Sequence, residues 1–190
     1  MIQVYTGDGK GKTTAAIGLA IRALGAGLRV YMMQFMKGKV YSEQEILRSF
    51  APRLTLHTTG KPFFIAEAGS LTAEQKKAFG DDVVIFPKGK PPADYQRMIA
   101  EGFQEAYEAV HSGAYEVVIL DEINVALHFD LLAKEPVIRL LQETPKTREL
   151  ILTGRKAPSW LLEMADLVTN MQEVRHYYQQ GVEARKGIEC

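Results

Sequence analysis

Apolar and polar positions along this chain follow two rhythms. Short apolar runs at residues 1–5, 28–35, 53–58, 116–120, 149–153 and 167–171 have the length and residue types of strands. Between them, residues 13–26 and 94–112 space their apolar side chains at three and four, the period of a helix with one buried face. Residues 131–144 carry the same pattern, interrupted or begun afresh at Pro136, and a further helix is expected after Pro158. Strands alternating with amphipathic helices predict an α/β fold, a mostly parallel sheet flanked by crossover helices. A chain of 190 residues suits one domain, residues 1–190. An irregular excursion is expected at about residues 61–92, where proline and glycine in KPFF, GDDVVIF and PKGKPP break every regular pattern.

Composition narrows the function classes only slightly. Hydrophobic residues make up 46% of the chain and charged ones 24%, ordinary for a globular protein. Lys plus Arg and Asp plus Glu both number 23, so the formal net charge of +0 gives no support to nucleic-acid or membrane binding by bulk electrostatics. Cys190 is the single cysteine, which excludes an intrachain disulfide and a cysteine-built metal cage. No apolar run reaches the length of a bilayer span and the N-terminus lacks the order of a signal peptide, so the expected location is cytoplasmic.

The chemistry concentrates in TGDGKGKTT, residues 6–14, between the first strand and the first helix. A glycine-rich turn at a helix N-terminus gathers unpaired backbone N–H groups at the positive end of the helix dipole, a cradle for phosphate oxygens. Gly7, Gly9 and Gly11 permit the turn, Lys12 reaches phosphate oxygens, Lys10 adds a second cation and Thr13 offers a hydroxyl to a magnesium ion. The usual phosphate loop has its first glycine five residues before the position of Gly11. That position is Thr6, so the loop counted from Gly7 is one residue short. A magnesium site of this kind needs an acid at the carboxyl end of a neighbouring buried strand, and VVILDE delivers Asp121 and Glu122 there. TGR, residues 153–155, brings Arg155 to the same rim, where a guanidinium either clamps phosphate or caps a surface loop. His57, His111, His128 and His176 show no metal-ligand spacing, and no nucleophile–base pair for covalent catalysis stands out.

Further stretches, VYMMQFMKG at residues 30–38, VVILDE, ILTGR, ADLVTNM at residues 165–171 and the tail VRHYYQQGVEARKGIE at residues 174–189, resemble the ATP:corrinoid adenosyltransferases. The resemblance runs in order through nearly the whole chain outside residues 61–92. In that family the short loop is the normal form. The resemblance implies a RecA-like phosphate-loop α/β domain and transfer of the 5′-deoxyadenosyl group of ATP to the cobalt of a reduced Co(I) corrinoid such as cobalamin, with release of triphosphate. ATP and the corrinoid are then co-substrates and Mg2+ the cofactor. An electron-donating reductase is the implied partner and a homodimer the implied assembly.

By the same resemblance, Gly7, Asp8, Gly9, Lys10, Gly11, Lys12, Thr13, Thr14 and Arg155 bind ATP, and Thr13, Asp121 and Glu122 hold magnesium. Lys12, Thr13, Glu122 and Arg155 carry the catalysis. Family members also exclude the axial ligand of Co(II) with bulky apolar residues after a Thr-Gly pair. In TGKPFF this makes Phe63 and Phe64 the corrinoid-facing candidates, with core packing as the alternative. Lys61 and Pro62 depart from the phenylalanine and tryptophan of relatives, Asn170 from their glutamate and Arg175 from their lysine. Residues 80–92, GDDVVIFPKGKPP, are the expected cover of the corrinoid. Two other classes fit a phosphate loop. A nucleoside kinase would form ADP, although its thymidine-kinase-like form needs a cysteine-rich zinc site that Cys190 cannot build. A non-catalytic ATP-binding regulatory module would bind ATP without adenosyl transfer.

Overall fold

A computed structural model describes residues 1–73, 76, 77, 80 and 83–189. Asp81 and Asp82 of the expected corrinoid cover, and Cys190, lie outside the described residues. The chain begins β1 (Ile2–Thr6), α1 (Lys12–Gly25), β2 (Val30–Phe35), α2 (Ser42–Ser49), β3 (Leu54–Thr59), β4 (Phe64–Glu67) and β5 (Val83–Phe86). It continues with α3 (Ala93–His111), β6 (Val117–Asp121), α4 (Ile123–His128), α5 (Lys134–Glu143), β7 (Glu149–Thr153), α6 (Ser159–Met164) and β8 (Leu167–Asn170). A 3-10 turn at Tyr177–Gln180 follows in the tail.

Among the described residues the main sheet has the order β3-β2-β6-β7-β1-β8, with every neighbouring pair parallel. Parallel neighbours need crossover connections, and the helices supply them on both faces. Successive side chains of a strand point to opposite faces. Val118 and Leu120 of β6 therefore join Ile99 and Phe103 of α3 in one core, while Val117 and Ile119 join Ala16 and Ala20 of α1 in the other. Both cores exclude water from the strands, which is why β2, β6 and β7 read as nearly unbroken apolar runs.

The expected strands and long helices form with ends shifted by up to three residues, the largest shift being the start of α5 at Lys134. Pro136 falls in the first turn of α5, where its missing N–H has no intrahelical acceptor to lose. Two short helices escaped the pattern. α2, SEQEILRS, buries only Gln44 and Leu47, and α4 is a six-residue turn following directly from the acid pair. The irregular excursion also contains a parallel β4–β5 pair, with Phe64 opposite Val83 and Glu67 opposite Phe86. Among the described residues no helix is long and apolar enough to cross a membrane.

Because all main strands point the same way, the carboxyl ends of β1, β2, β6 and β7 share one rim. The loop after β1, the acid pair of β6 and the Gly154 turn after β7 all emerge there, with β7 between the loop strand and the acid strand. The rim of a doubly wound sheet is its binding edge.

Candidate active site

The phosphate loop is held from below by the chain leaving β8. Gly9 N–H donates to Met171 O at 2.7 Å and Met171 N–H to Thr6 O at 2.8 Å. A Cβ at Gly7 would stand 2.3 Å from both Met171 O and Asn170 Oδ1, and its φ of 97° disfavours any side chain. Lys12, the first residue of α1, curls back so that its Nζ donates to Gly7 O at 2.8 Å and Gly9 O at 2.5 Å. One ammonium proton is left for a ligand. Burial, then the neighbouring Arg155, lowers the Lys12 pKa below the ordinary lysine value, against the pull of Glu122, Asp8 and Asp121.

Asp121 is fully buried and ties four elements together. Its Oδ1 accepts from Thr13 Oγ1 at 2.9 Å and Thr153 Oγ1 at 2.7 Å, and its Oδ2 from Gln34 Nε2 at 3.3 Å. Gln34 is in turn held by Gln44, whose Nε2 donates to Gln34 Oε1 at 3.2 Å. Glu122 follows at φ 62°, an uncommon conformation for a residue with a side chain, and α4 starts from it. Burial, reinforced by Asp121, raises the Glu122 carboxyl to about 7, while Lys37, Lys12 and Arg155 oppose the rise. Beside it, Asn124 Nδ2 donates to Gly154 O at 3.0 Å. A Cβ at Gly154 would lie 3.0 Å from Asn124 Cβ and 3.2 Å from Glu122 Oε2, and its φ of 128° favours glycine, so the β7 turn packs closely against the acid.

Loop residues 9–14, Glu122 and Arg155 open onto one cleft of about 860 Å³. Tyr41, Ile46 and Phe64 line it as well, together with His176 and Ile188 from the tail. This combination of a glycine-rich loop, the Glu122 carboxyl, a guanidinium and an aromatic surface suits a nucleotide and a second substrate. A second cleft of about 880 Å³, beside Trp160 and Lys134, contains none of the loop residues.

Residues 1–190 match the family described as ATP:corrinoid adenosyltransferase BtuR/CobO/CobP. The chain belongs to this family. The corrinoid adenosyltransferase of Sinorhizobium sp. is 32% identical over 192 residues, covering 100% of this chain and 79% of that protein. An uncharacterized protein of Nostoc sp. is 31% identical over 200 residues, covering 99% of this chain and 47% of that protein, so the chain spans about half the length of that relative. Among solved structures, a KaiC-like protein from Pyrococcus horikoshii OT3 is 16% identical with a TM-score of 0.46, over 92% of this chain and 74% of that one. The mostly parallel α/β sheet expected from the sequence is the architecture found, and family membership favours adenosyl transfer over the kinase and regulatory readings.

Within this cleft the expected residues separate. Gly9, Gly11, Lys12, Thr13, Thr14, Glu122 and Arg155 line the cleft, and Asp121 anchors Thr13 from behind. Gly7 packs beneath the loop, and Asp8 is exposed with its Oδ1 3.7 Å from Lys156 Nζ. Lys10 lines the cleft but turns its ammonium to the tail, donating to Glu189 Oε1 at 2.9 Å. Phe63 packs on the core, edge-on to Tyr95 at 6.0 Å between centroids. Phe64 is 47% exposed and lines the cleft, with Lys39 Nζ 5.5 Å from its ring centre. The expected cover contributes β5, which pairs with the strand carrying Phe64, and Phe86, which buries itself edge-on to Phe129.

Gln34, Thr153, Lys37 and the tail residues His176, Ile188 and Glu189 were not foreseen as site residues. Gln34 left a signal, since it is the one polar residue in the apolar run of β2. Thr153 left a weaker one, directly before the Gly-Arg turn. Lys37 reaches the cleft because Met36, at φ 60°, turns the chain out of β2. It then lies 3.5 Å from Glu43 and 4.1 Å from the ring centre of Tyr41.

Proposed function

We propose that this cleft carries out the family reaction by holding the triphosphate of ATP on residues 9–14 and presenting the ribose C5′ to a Co(I) corrinoid beside Phe64. The observation that carries the reading is that the loop, Glu122, Arg155 and Phe64 open onto the same space of about 860 Å³. The electron pair of Co(I) forms the Co–C5′ bond while the C5′–O bond breaks, and the electrons of that bond leave with the triphosphate. No proton is transferred, so no general base is required. Charge grows on the leaving triphosphate, and the groups that meet it are the loop N–H donors, the remaining proton of Lys12 and the Arg155 guanidinium. Their fixed positions are the protein's contribution.

The donor set suits magnesium, because a hydroxyl and carboxylates are the hard oxygen ligands this ion prefers. Thr13 and Glu122 would hold it, with Asp121 taking the Thr13 proton in a hydrogen bond so that the hydroxyl lone pairs face the ion. The raised Glu122 carboxyl marks a place where added positive charge is stabilising. Bound there, the ion would neutralise charge on the triphosphate. Phe64 would exclude the axial ligand of Co(II) and so ease its reduction. An electron-donating reductase, a homodimer, a single working unit over residues 1–190 and a cytoplasmic setting complete the proposal.

The test is an anaerobic reaction of ATP with chemically reduced cobalamin. Loss of the Co(I) spectrum, formation of a light-sensitive cobalt–carbon product and release of one triphosphate per product are expected. Appearance of ADP in step with corrinoid consumption would overturn the reading.

A further inference from the structure

A lysine ammonium carries three N–H donors. In Lys10 all three go to the C-terminal segment: to Glu189 Oε1 at 2.9 Å, Ile188 O at 3.1 Å and Tyr177 Oη at 3.2 Å. None remains for a phosphate oxygen while these contacts stand. Glu189 is equally committed. It accepts from the Arg185 backbone N–H at 2.8 Å, from Arg185 Nε at 3.2 Å and Nη2 at 3.1 Å, and from the Tyr177 hydroxyl. These partners, Arg185 first, hold its carboxyl well below the usual carboxylate range. The Arg185 guanidinium also lies 4.9 Å from the Tyr177 ring centre. The segment joined to the loop in this way supplies His176, Gly187, Ile188 and Glu189 to the cleft lining.

We propose that Lys10 is a clasp rather than a phosphate ligand. With Glu189 as its positioning partner it seats residues 176–189 as a wall of the nucleotide cleft, and it acts on ATP only through that wall. The inference rests on the nucleotide reading above and changes the role of one loop residue within it. Moving Lys10 onto the triphosphate would break three hydrogen bonds and leave the Glu189 carboxylate with less positive charge around it beside an incoming polyanion. Lys12 lines the cleft and keeps one ammonium proton free without that penalty.

Calorimetric titration of MgATP into the wild type, Lys10→Ala, a chain lacking residues 185–190, and the double variant separates the two roles. Lys10→Ala and the truncation are each expected to weaken binding about tenfold, the scale of one lost charge-assisted contact. The double variant should bind no worse than the truncation alone, because both changes remove the same wall. Losses that multiply to about a hundredfold would put Lys10 on the triphosphate and overturn the clasp. Lys10→Ala combined with Glu189→Gln repeats the cycle without shortening the chain. Hydrogen exchange gives an independent readout: amides of residues 177–188 should exchange faster in Lys10→Ala without nucleotide, and MgATP should not accelerate them in the wild type. Unchanged exchange in the variant, or acceleration by MgATP, would also overturn the clasp. Lys12→Ala serves as the control for the parent reading, since unchanged MgATP affinity there would remove the nucleotide site itself.

Discussion

The Thr153 hydroxyl donates to Asp121 Oδ1 at 2.7 Å and accepts the Glu122 N–H at 3.0 Å, so one side chain of β7 fixes both acids at the end of β6. Thr153→Val preserves the shape and removes both bonds. It leaves a buried carboxylate short of a donor, at a cost of about 1–3 kcal/mol. A lower unfolding midpoint together with weaker MgATP binding is expected, and Thr153→Ser should restore both. A variant with unaltered midpoint and affinity would remove Thr153 from the positioning of the acids.

Lys12→Ala removes the one loop ammonium that keeps a proton free toward the cleft. Loss of a preorganised charged donor facing the leaving triphosphate should lower kcat/KM by about a hundredfold or more. Steady-state kinetics starting from chemically generated Co(I) measures this without interference from the reduction step. A fall of less than about threefold would place the triphosphate elsewhere.

Phe63 and Phe64 are adjacent but occupy different surroundings, and their variants should separate. Phe63→Ala removes a partly buried ring packed on the core beside Tyr95 and should lower the unfolding midpoint, at less than the cost of about 3–5 kcal/mol for deleting a fully buried phenylalanine. Phe64→Ala removes an exposed cleft residue and should leave the midpoint nearly unchanged. Its loss should appear in activity measured from Co(II) with a mild reductant, and much less when Co(I) is prepared beforehand. Equal activity loss in both assays would end the assignment of Phe64 to the reduction step.

The Glu122 carboxyl, raised from 4.5 to about 7, makes a pH prediction for the metal-free protein. The folded state binds this proton more tightly than the unfolded one. Its contribution to stability therefore falls as pH rises from 4.5 to about 7, and stays low above that. Glu122→Gln removes this dependence, so its unfolding midpoint should drop less between about pH 5 and about pH 8 than that of the wild type. Parallel midpoint curves for the two proteins would show that Glu122 is not held in a costly ionised state.

The loop and the acid pair were legible before any fold was known because their chemistry is local. A strand, three spaced glycines, Lys12 and a helix are consecutive in the chain, and VVIL delivers Asp121 and Glu122 wherever that strand lies. The alternation of apolar runs with amphipathic stretches likewise announced a parallel sheet with crossover helices. Its strand order was not readable: β7 comes between β1 and β6 because helices on both faces must pack over the strands they connect, and many orders satisfy the same pattern. The excursion hid β4 and β5 because each is only four residues long and together they bury little.

Side-chain partners mark the same boundary more sharply. Phe63 and Phe64 have identical chemistry and adjacent positions, and only packing against Tyr95 separates core from cleft. Lys10 stands in the phosphate loop by every local criterion, yet its ammonium is committed to groups 167, 178 and 179 residues away. Spacing along the chain establishes which charges reach the rim, whereas what each charge bonds to depends on segments that only folding brings together.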